Sequence, residues 1–200
     1  MSEPKLGRET LASASLDKAI EMRPQNRKWI EESVKLELLR SDWLVQQNEL
    51  DAATNLLTSL IKKKLRLSKS APNDYEQRKQ IVKLFVKLAD LSLKAGHNAR
   101  AREEYYVAAQ DCRIILMNPP DHQWVLEVRS WLISQVIKLD DDHKFRDGPL
   151  KHEAKFVEHL DSKGLDSNAF DKALKGQMEP NRPSGLEPAS IMHSLLQDGM

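Results

Sequence analysis

The sequence has little cysteine, glycine or aromatic content, and each scarcity disfavours a class of protein. The single cysteine, Cys112, has no partner in the chain, so we expect neither an internal disulfide nor a cluster of cysteine zinc ligands. Seven glycines and 6% aromatic residues disfavour a β-sandwich or β-barrel, which needs many turns and many strand-forming residues. Gly-rich phosphate loops and the nucleophile motif Gly-x-Ser-x-Gly are also missing. These absences leave a helical protein without an obvious catalytic motif.

An excess of one charge and long apolar runs are missing too. Lys and Arg number 31 against 30 Asp and Glu, so the net charge of +1 gives no bulk attraction to nucleic acid or to an anionic membrane. No apolar run approaches the roughly 18 residues of a membrane span, and the N-terminus lacks the apolar stretch of a signal peptide. The composition is instead rich in Leu, Ala, Lys and Glu, which favour helices. We therefore predict a cytoplasmic, all-α protein.

Apolar residues recur at helical spacing along most of the chain. Asn26 is suited to cap the helix that follows it, and Gly96 is suited to the left-handed position after a helix. The apolar face of the first long helix is predicted to carry Trp29, Leu36, Leu39 and Trp43, widened by Ile30, Val34 and Leu38. The pattern predicts helices over 10–22, 27–46, 49–66, 75–95, 99–116, 122–139, 150–160 and 166–174, with a polar loop over 68–74.

The chain is predicted to have four parts. These are a disordered N-terminus over 1–9, a helical-repeat domain over 10–176, a proline-rich linker over 177–188 and a short amphipathic tail segment over 189–200. The tail carries its apolar side chains on one face, which suggests a docking peptide for a partner's groove or for this protein's own: Ile191, Met192, Leu195 and Leu196. An ordinary disordered terminus is the alternative. On this prediction, deletion of 180–200 leaves the melting temperature of the helical core nearly unchanged.

One stretch has the residue spacing of a known repeat, namely Phe85, Leu88, Ala89, Gly96, Ala101, Tyr105 and Ala108. This spacing resembles the tetratricopeptide repeat, in which small residues allow two helices to cross closely. Partial matches to the same repeat lie over 19–26 and 50–60. The corresponding residues Ala53 and Ala101 are 48 residues apart, which is longer than the usual repeat period of about 34. The resemblance covers about residues 10–116. It implies antiparallel helical hairpins stacked as a short solenoid, with a flexible C-terminal tail.

The resemblance also implies a groove for a partner, lined by the first helix of each repeat. The matching positions are Lys83, Val86, Lys87, Asp90 and Lys94 in one repeat, and Lys35, Leu38, Asp42 and Gln46 in the repeat before it. Two acids, Asp42 and Asp90, would repel a terminal carboxylate, so a clamp for chaperone tails is disfavoured. The alternative interpretation is that these residues are ordinary surface charges.

The most biased segment is a basic patch without an acidic residue, formed by Lys62, Lys63, Lys64, Arg66 and Lys69. It could contact phosphate or an acidic partner, or it could be the solvated end of a helix, where cations suit the helix dipole. The group His143, His152, Glu153 and His159 lacks the spacing of a zinc motif, so we predict no metal and no cofactor. Cys112 falls on an apolar face, which favours packing over reactivity.

These patterns favour a non-enzymatic interaction module that binds a peptide or helix of a protein partner. The main alternative is a helical protein that associates with nucleic acid through the basic 62–87 segment. A subunit that associates with copies of itself is a third possibility. No membrane partner is predicted.

Overall fold

The computed structural model describes residues 14, 15, 18, 19, 22, 26–70, 74–117, 122–140, 148, 150, 153, 155, 157, 168–175, 181–184 and 186. Six helices have defined bounds in this part of the chain: α1 (Arg27–Gln46), α2 (Leu50–Ser70), α3 (Tyr75–Lys94), α4 (Asn98–Leu116), α5 (His122–Lys138) and α6 (Asn168–Leu174). The same residues contain no strand. None of these helices is long and apolar enough to cross a membrane.

The chain divides into two compact units. Unit 1 comprises Met1–Pro72 and Met192–Met200, and unit 2 comprises Asn73–Ile191. Within each unit, helices that follow each other in the chain pack together: α1 with α2, then α3 with α4, α4 with α5, and α5 with α6. The predicted all-α fold of stacked helical hairpins is therefore confirmed. The division into units falls inside the single helical-repeat domain that the sequence predicts.

Unit 1 contains a helical hairpin with a well-defined start and turn. The Asn26 side chain caps α1 by accepting a hydrogen bond of 3.3 Å from the Trp29 amide, as predicted. The turn between α1 and α2 places Asn48 at φ +63°, and the amides of Asn48 and Glu49 bond back to the end of α1. Across the hairpin, Lys63 Nζ lies 2.5 Å from Glu37 Oε1. This ion pair allows Glu37 to be buried between apolar residues.

Unit 2 begins with the same kind of hairpin. Asp74 caps α3 by accepting from the Gln77 amide at 3.0 Å, and Gly96 at φ +79° ends the helix in the left-handed conformation that the sequence predicts. Three alanines are fully buried where α3 and α4 pack: Ala89, Ala101 and Ala108. Their small size allows close packing of the two helices. Tyr105, Trp131 and other large side chains fill the remaining core of the unit.

Several predictions lie wholly or partly outside the described residues. Residues 1–9 and 187–200 are among these, so the disordered N-terminus and the amphipathic tail with Ile191, Met192, Leu195 and Leu196 stay predictions. The described residues of the predicted 10–22 and 150–160 helices are mostly helical. His143, His152 and His159 also lie outside the described residues.

Candidate partner-binding site

A non-helical segment of unit 2 lies against the helices and forms the centre of the candidate site. This docked segment comprises residues 181–184 and 186. Pro183 is buried, and Leu186 is fully buried within the apolar cluster of the unit. The Leu186 amide donates to the Pro183 carbonyl at 3.3 Å, which forms a turn. The sequence predicts a linker over 177–188. In the part of that range that the structure describes, Pro183 is buried and Leu186 packs into the apolar cluster.

An arginine–aspartate pair attaches the docked segment to α3. Arg182 Nη2 lies 2.5 Å from Asp90 Oδ2, and Nη1 lies 3.3 Å from Oδ1, so the guanidinium approaches the carboxylate with two nitrogens. Nη2 also donates to the Leu186 carbonyl at 2.7 Å, and the guanidinium carbon stands 4.9 Å from the centre of the Trp131 ring. One arginine therefore binds α3, stacks on α5 and closes the turn of its own segment.

Tyr105 on α4 holds the Asp90 carboxylate in position. Its hydroxyl donates to Asp90 Oδ1 at 2.6 Å, and its ring meets Trp131 edge to face at 5.6 Å between centroids. Burial is the main cause that raises the pKa of Tyr105, and the neighbouring Asp90 charge raises it further. The hydroxyl therefore stays protonated and donates to the carboxylate at ordinary pH.

Trp124 on α5 forms the second contact with the docked segment. Its indole nitrogen donates to the Ser184 carbonyl at 3.4 Å. Two lysines of α3 approach its ring, with Nζ of Lys79 and Lys83 at 5.6 Å and 5.9 Å from the centroid. We refer to Asp90, Tyr105, Trp124 and Trp131 together as the Asp90 site. It combines one anchored carboxylate with two indole rings.

The structure separates the predicted groove residues of unit 2. Asp90 contacts the docked segment directly, and Lys83 contacts Trp124, which binds that segment. Val86 and Lys87 are buried, and Val86 belongs to the apolar cluster, so neither side chain is open to a ligand. Lys94 is exposed near the end of α3.

The groove residues predicted in unit 1 also have different environments. Leu38 is buried, whereas Gln46 is exposed at the end of α1. Lys35 pairs with Glu32 at 3.2 Å on the same helix, and Asp42 is half-buried. Of the predicted groove residues, only Asp90 directly contacts the docked segment.

The basic patch is only partly exposed. Lys62, Arg66 and Lys69 are exposed on one face of α2, at spacings of four and three. Lys63 is neutralised by Glu37, and Lys64 is buried. Lys69 also lies in the last turn of α2, where a cation is favourable to the helix dipole.

Buried charged side chains of unit 2 are paired with one another. Arg129 and Glu153 form a fully buried ion pair; Arg129 also donates to the Ala109 carbonyl, and Glu153 accepts from Gln110. Burial lowers the pKa of Arg129, and the Glu153 charge opposes this effect. Glu153, which the sequence places beside three histidines, is thus an ion-pair partner. Among the described residues, no group of three or more His, Cys, Asp or Glu is arranged to hold a metal.

Cys112 is fully buried in the apolar cluster of unit 2, as the sequence predicts. Burial raises the pKa of its thiol to about 12, which outweighs the opposite effect of Arg129. The thiolate, which is the reactive form, is therefore disfavoured in the native protein.

Sequence reasoning missed the residues that complete the site. Arg182, Pro183 and Leu186 lie in a proline-rich stretch, and the available signal is that an arginine and a leucine interrupt its small and polar residues. For Trp124 and Trp131 the sequence predicts only a place in the 122–139 helix. No protein-family model, curated protein or solved structure matches this chain, so its function is inferred from its own geometry.

Proposed function

We propose that this chain is a non-enzymatic, cytoplasmic adaptor that binds a non-helical segment of a protein partner at the Asp90 site. The observation that carries the proposal is the docked segment. Unit 2 holds it through an ion pair, an indole hydrogen bond and a buried leucine. Side chains of this kind can be supplied equally by a segment of another protein.

The chemistry of the site supports binding more than catalysis. Asp90 is occupied by Arg182 and Tyr105, and the buried thiol of Cys112 is protonated. Aromatic rings and a directed carboxylate are typical anchors of protein interfaces, where Trp, Tyr and Arg contribute most of the affinity.

The tetratricopeptide resemblance adds to this proposal. In that family the first helix of a repeat faces the ligand, and Asp90 and Lys83 are among the matched positions on α3. We propose membership of a tetratricopeptide-like group on the residue spacing around Gly96. The proposed binding function itself rests on the contacts of Asp90.

Selection of displayed random peptides for binding to the full-length protein tests the function. Four forms are compared: the unchanged chain, Asp90→Asn, Arg182→Ala, which vacates the site, and the double variant that carries both changes. We expect peptides to be recovered by the Arg182→Ala form and to lose binding when Asp90→Asn is added. Glu103→Gln, the same kind of change at an exposed position of α4, is the control. Peptides that bind regardless of Asp90, or no peptides on any form, would contradict the proposal.

A second candidate function is binding to nucleic acid through α2. It is favoured by the three exposed cations on one face of that helix, Lys62, Arg66 and Lys69. If each neutralises one phosphate of duplex DNA, the log–log slope of affinity against salt has a magnitude of about 2.7. Changing the three to Gln should abolish the binding. The absence of any oligonucleotide shift at low salt would eliminate this candidate.

A further inference from the structure

We propose that the Asp90 site selects protein segments of the pattern Arg-Pro-x-x-Leu, and that the docked segment competes with them for the site. The inference rests on the proposed function and names two further properties, the chemistry that is recognised and the competitor built into the chain. The docked segment itself, from Arg182 to Leu186, carries this pattern.

Arginine is required at the first position because it makes three contacts at once. Its planar guanidinium places two nitrogens on Asp90, lies over Trp131 and donates to the Leu186 carbonyl. A lysine has a single ammonium and no planar face, so it would lose the two-nitrogen approach and the stacking. The buried Nε of Arg182 has no hydrogen-bond partner in the described structure. A partner segment that supplies an acceptor for the equivalent Nε of its own arginine would bind more tightly than the docked segment.

The other two positions follow from burial and from the turn. Proline lacks an N–H, so its burial at position 183 leaves no donor unsatisfied, and its fixed φ favours the turn. Leucine fills a fully buried place in the apolar cluster. The bond from Arg182 to the Leu186 carbonyl sets the spacing of four residues between the two anchors.

Competition follows from the way the docked segment is attached. It lies in neither a helix nor a sheet, and each of its described hydrogen bonds with the helices involves at least one side chain. A tethered segment acts at an effective concentration of about 1 mM. A free peptide of the same sequence must therefore reach a concentration of about 1 mM to displace the docked segment. When the docked segment is released, the peptide binds with its intrinsic affinity for the Asp90 site.

The first experiment measures the binding of a labelled peptide with the sequence of residues 180–187 to the full-length protein. We expect Arg182→Glu, which places a charge of the same sign opposite Asp90, to tighten binding at least about tenfold over the unchanged chain. Arg40→Glu makes the same charge change at an exposed position of unit 1 and should have no effect. Replacing the peptide arginine with citrulline should abolish binding to the Arg182→Glu form. Unchanged affinity in that form would overturn the proposal.

A second measurement avoids destabilising the fold. Ser184→Cys carries a dye that tryptophan quenches on contact, because Ser184 is exposed and its carbonyl bonds to Trp124, while Cys112 is buried. Adding the arginine peptide should release the docked segment and raise the fluorescence, and the citrulline peptide should not. Equal effects of the two peptides, or no effect of either, would contradict competition.

The outcomes separate this inference from the function on which it rests. Recovery of Asp90-dependent peptides without arginine overturns the Arg-Pro-x-x-Leu pattern and leaves the adaptor function intact. Arginine-dependent binding that survives Asp90→Asn overturns the placement of the function at the Asp90 site. If the unchanged chain forms dimers and Arg182→Glu dissociates them, the occupant of the site is the docked segment of a second copy. That outcome would overturn the recognition of a partner protein.

Discussion

At the residue scale, two hairpin turns solve the same backbone problem with different residues. Asn48 and Gly96 both follow a helix in the left-handed conformation, and in each case the amide of that residue and the amide after it bond back to the helix end. A Cβ atom added at Gly96 would meet no heavy atom within 4 Å. Glycine is therefore preferred there because of the backbone conformation, and not because neighbouring atoms would crowd a side chain.

These turns predict opposite effects of two substitutions. Gly96→Ala should lower the free energy of unfolding by about 1–2 kcal/mol, because the left-handed conformation disfavours a side chain. Asn48→Gly should raise the free energy by less than about 1 kcal/mol, because asparagine tolerates that conformation better than alanine does. Urea unfolding of both variants measures the two effects. A stabilising Gly96→Ala would show that the turn rearranges freely.

The buried ion pair of unit 2 gives a second prediction at the residue scale. Glu153→Gln should destabilise the protein by about 3–5 kcal/mol, because it leaves the charge of Arg129 buried without its partner. Changing both residues to apolar ones, with Arg129→Met and Glu153→Leu, should cost much less. Urea unfolding of Arg129→Met, Glu153→Leu and their combination forms a double-mutant cycle that measures the coupling, and Glu153→Gln is measured beside it. Equal losses in the single and double variants would contradict a coupled pair.

At the element scale, the fit between α3 and α4 depends on small residues. Ala101→Leu should overpack their contact and destabilise the protein by about 1–3 kcal/mol, because Ala101 is fully buried. Ala99→Leu, on the exposed side of the same helix, should change stability by less than about 0.5 kcal/mol. Thermal unfolding distinguishes the two. An unchanged melting temperature for Ala101→Leu would argue against this packing.

The sequence predicted helix ends well where caps and turns determine them, and less well elsewhere. The predicted 27–46 helix matches α1, but α2 continues to Ser70 and includes the first three residues of the predicted 68–74 loop. Serine and lysine at the end of α2 are tolerated in a helix, so polarity alone did not locate its last turn. The sequence could not show which face of α1 is buried either. Trp29 and Trp43 are half-buried, whereas Glu37 is buried because α2 supplies Lys63.

The candidate site was predictable only in part. Asp90 was found because α3 has a recognisable spacing, and that spacing places the residue on a helix face. Arg182 was not found, because it pairs with Asp90 across 92 positions of the sequence. Proline-rich composition predicts an irregular backbone, and it does not tell whether that backbone packs against the protein.

At the scale of the whole molecule, the docked segment changes the expected effect of truncation. Deletion of 180–200 should lower the free energy of unfolding by about 2–5 kcal/mol, since it removes the fully buried Leu186 and leaves its place empty. Deletion of 189–200 retains the docked segment and is the matched control. Calorimetry of both truncations makes the comparison. Equal melting temperatures would restore the linker interpretation of 177–188.

The reactivity of the single buried thiol can report how often unit 2 opens. Cys112 is the chain's one cysteine, and a thiol reagent reaches it only when unit 2 opens. If closing is faster than reaction, the labelling rate reports the equilibrium population of open molecules. A Leu186→Ala change that costs about 2 kcal/mol should then accelerate labelling by about 30-fold. The labelling rate of Cys112 thus measures the opening of unit 2 in the unchanged sequence, without an introduced probe.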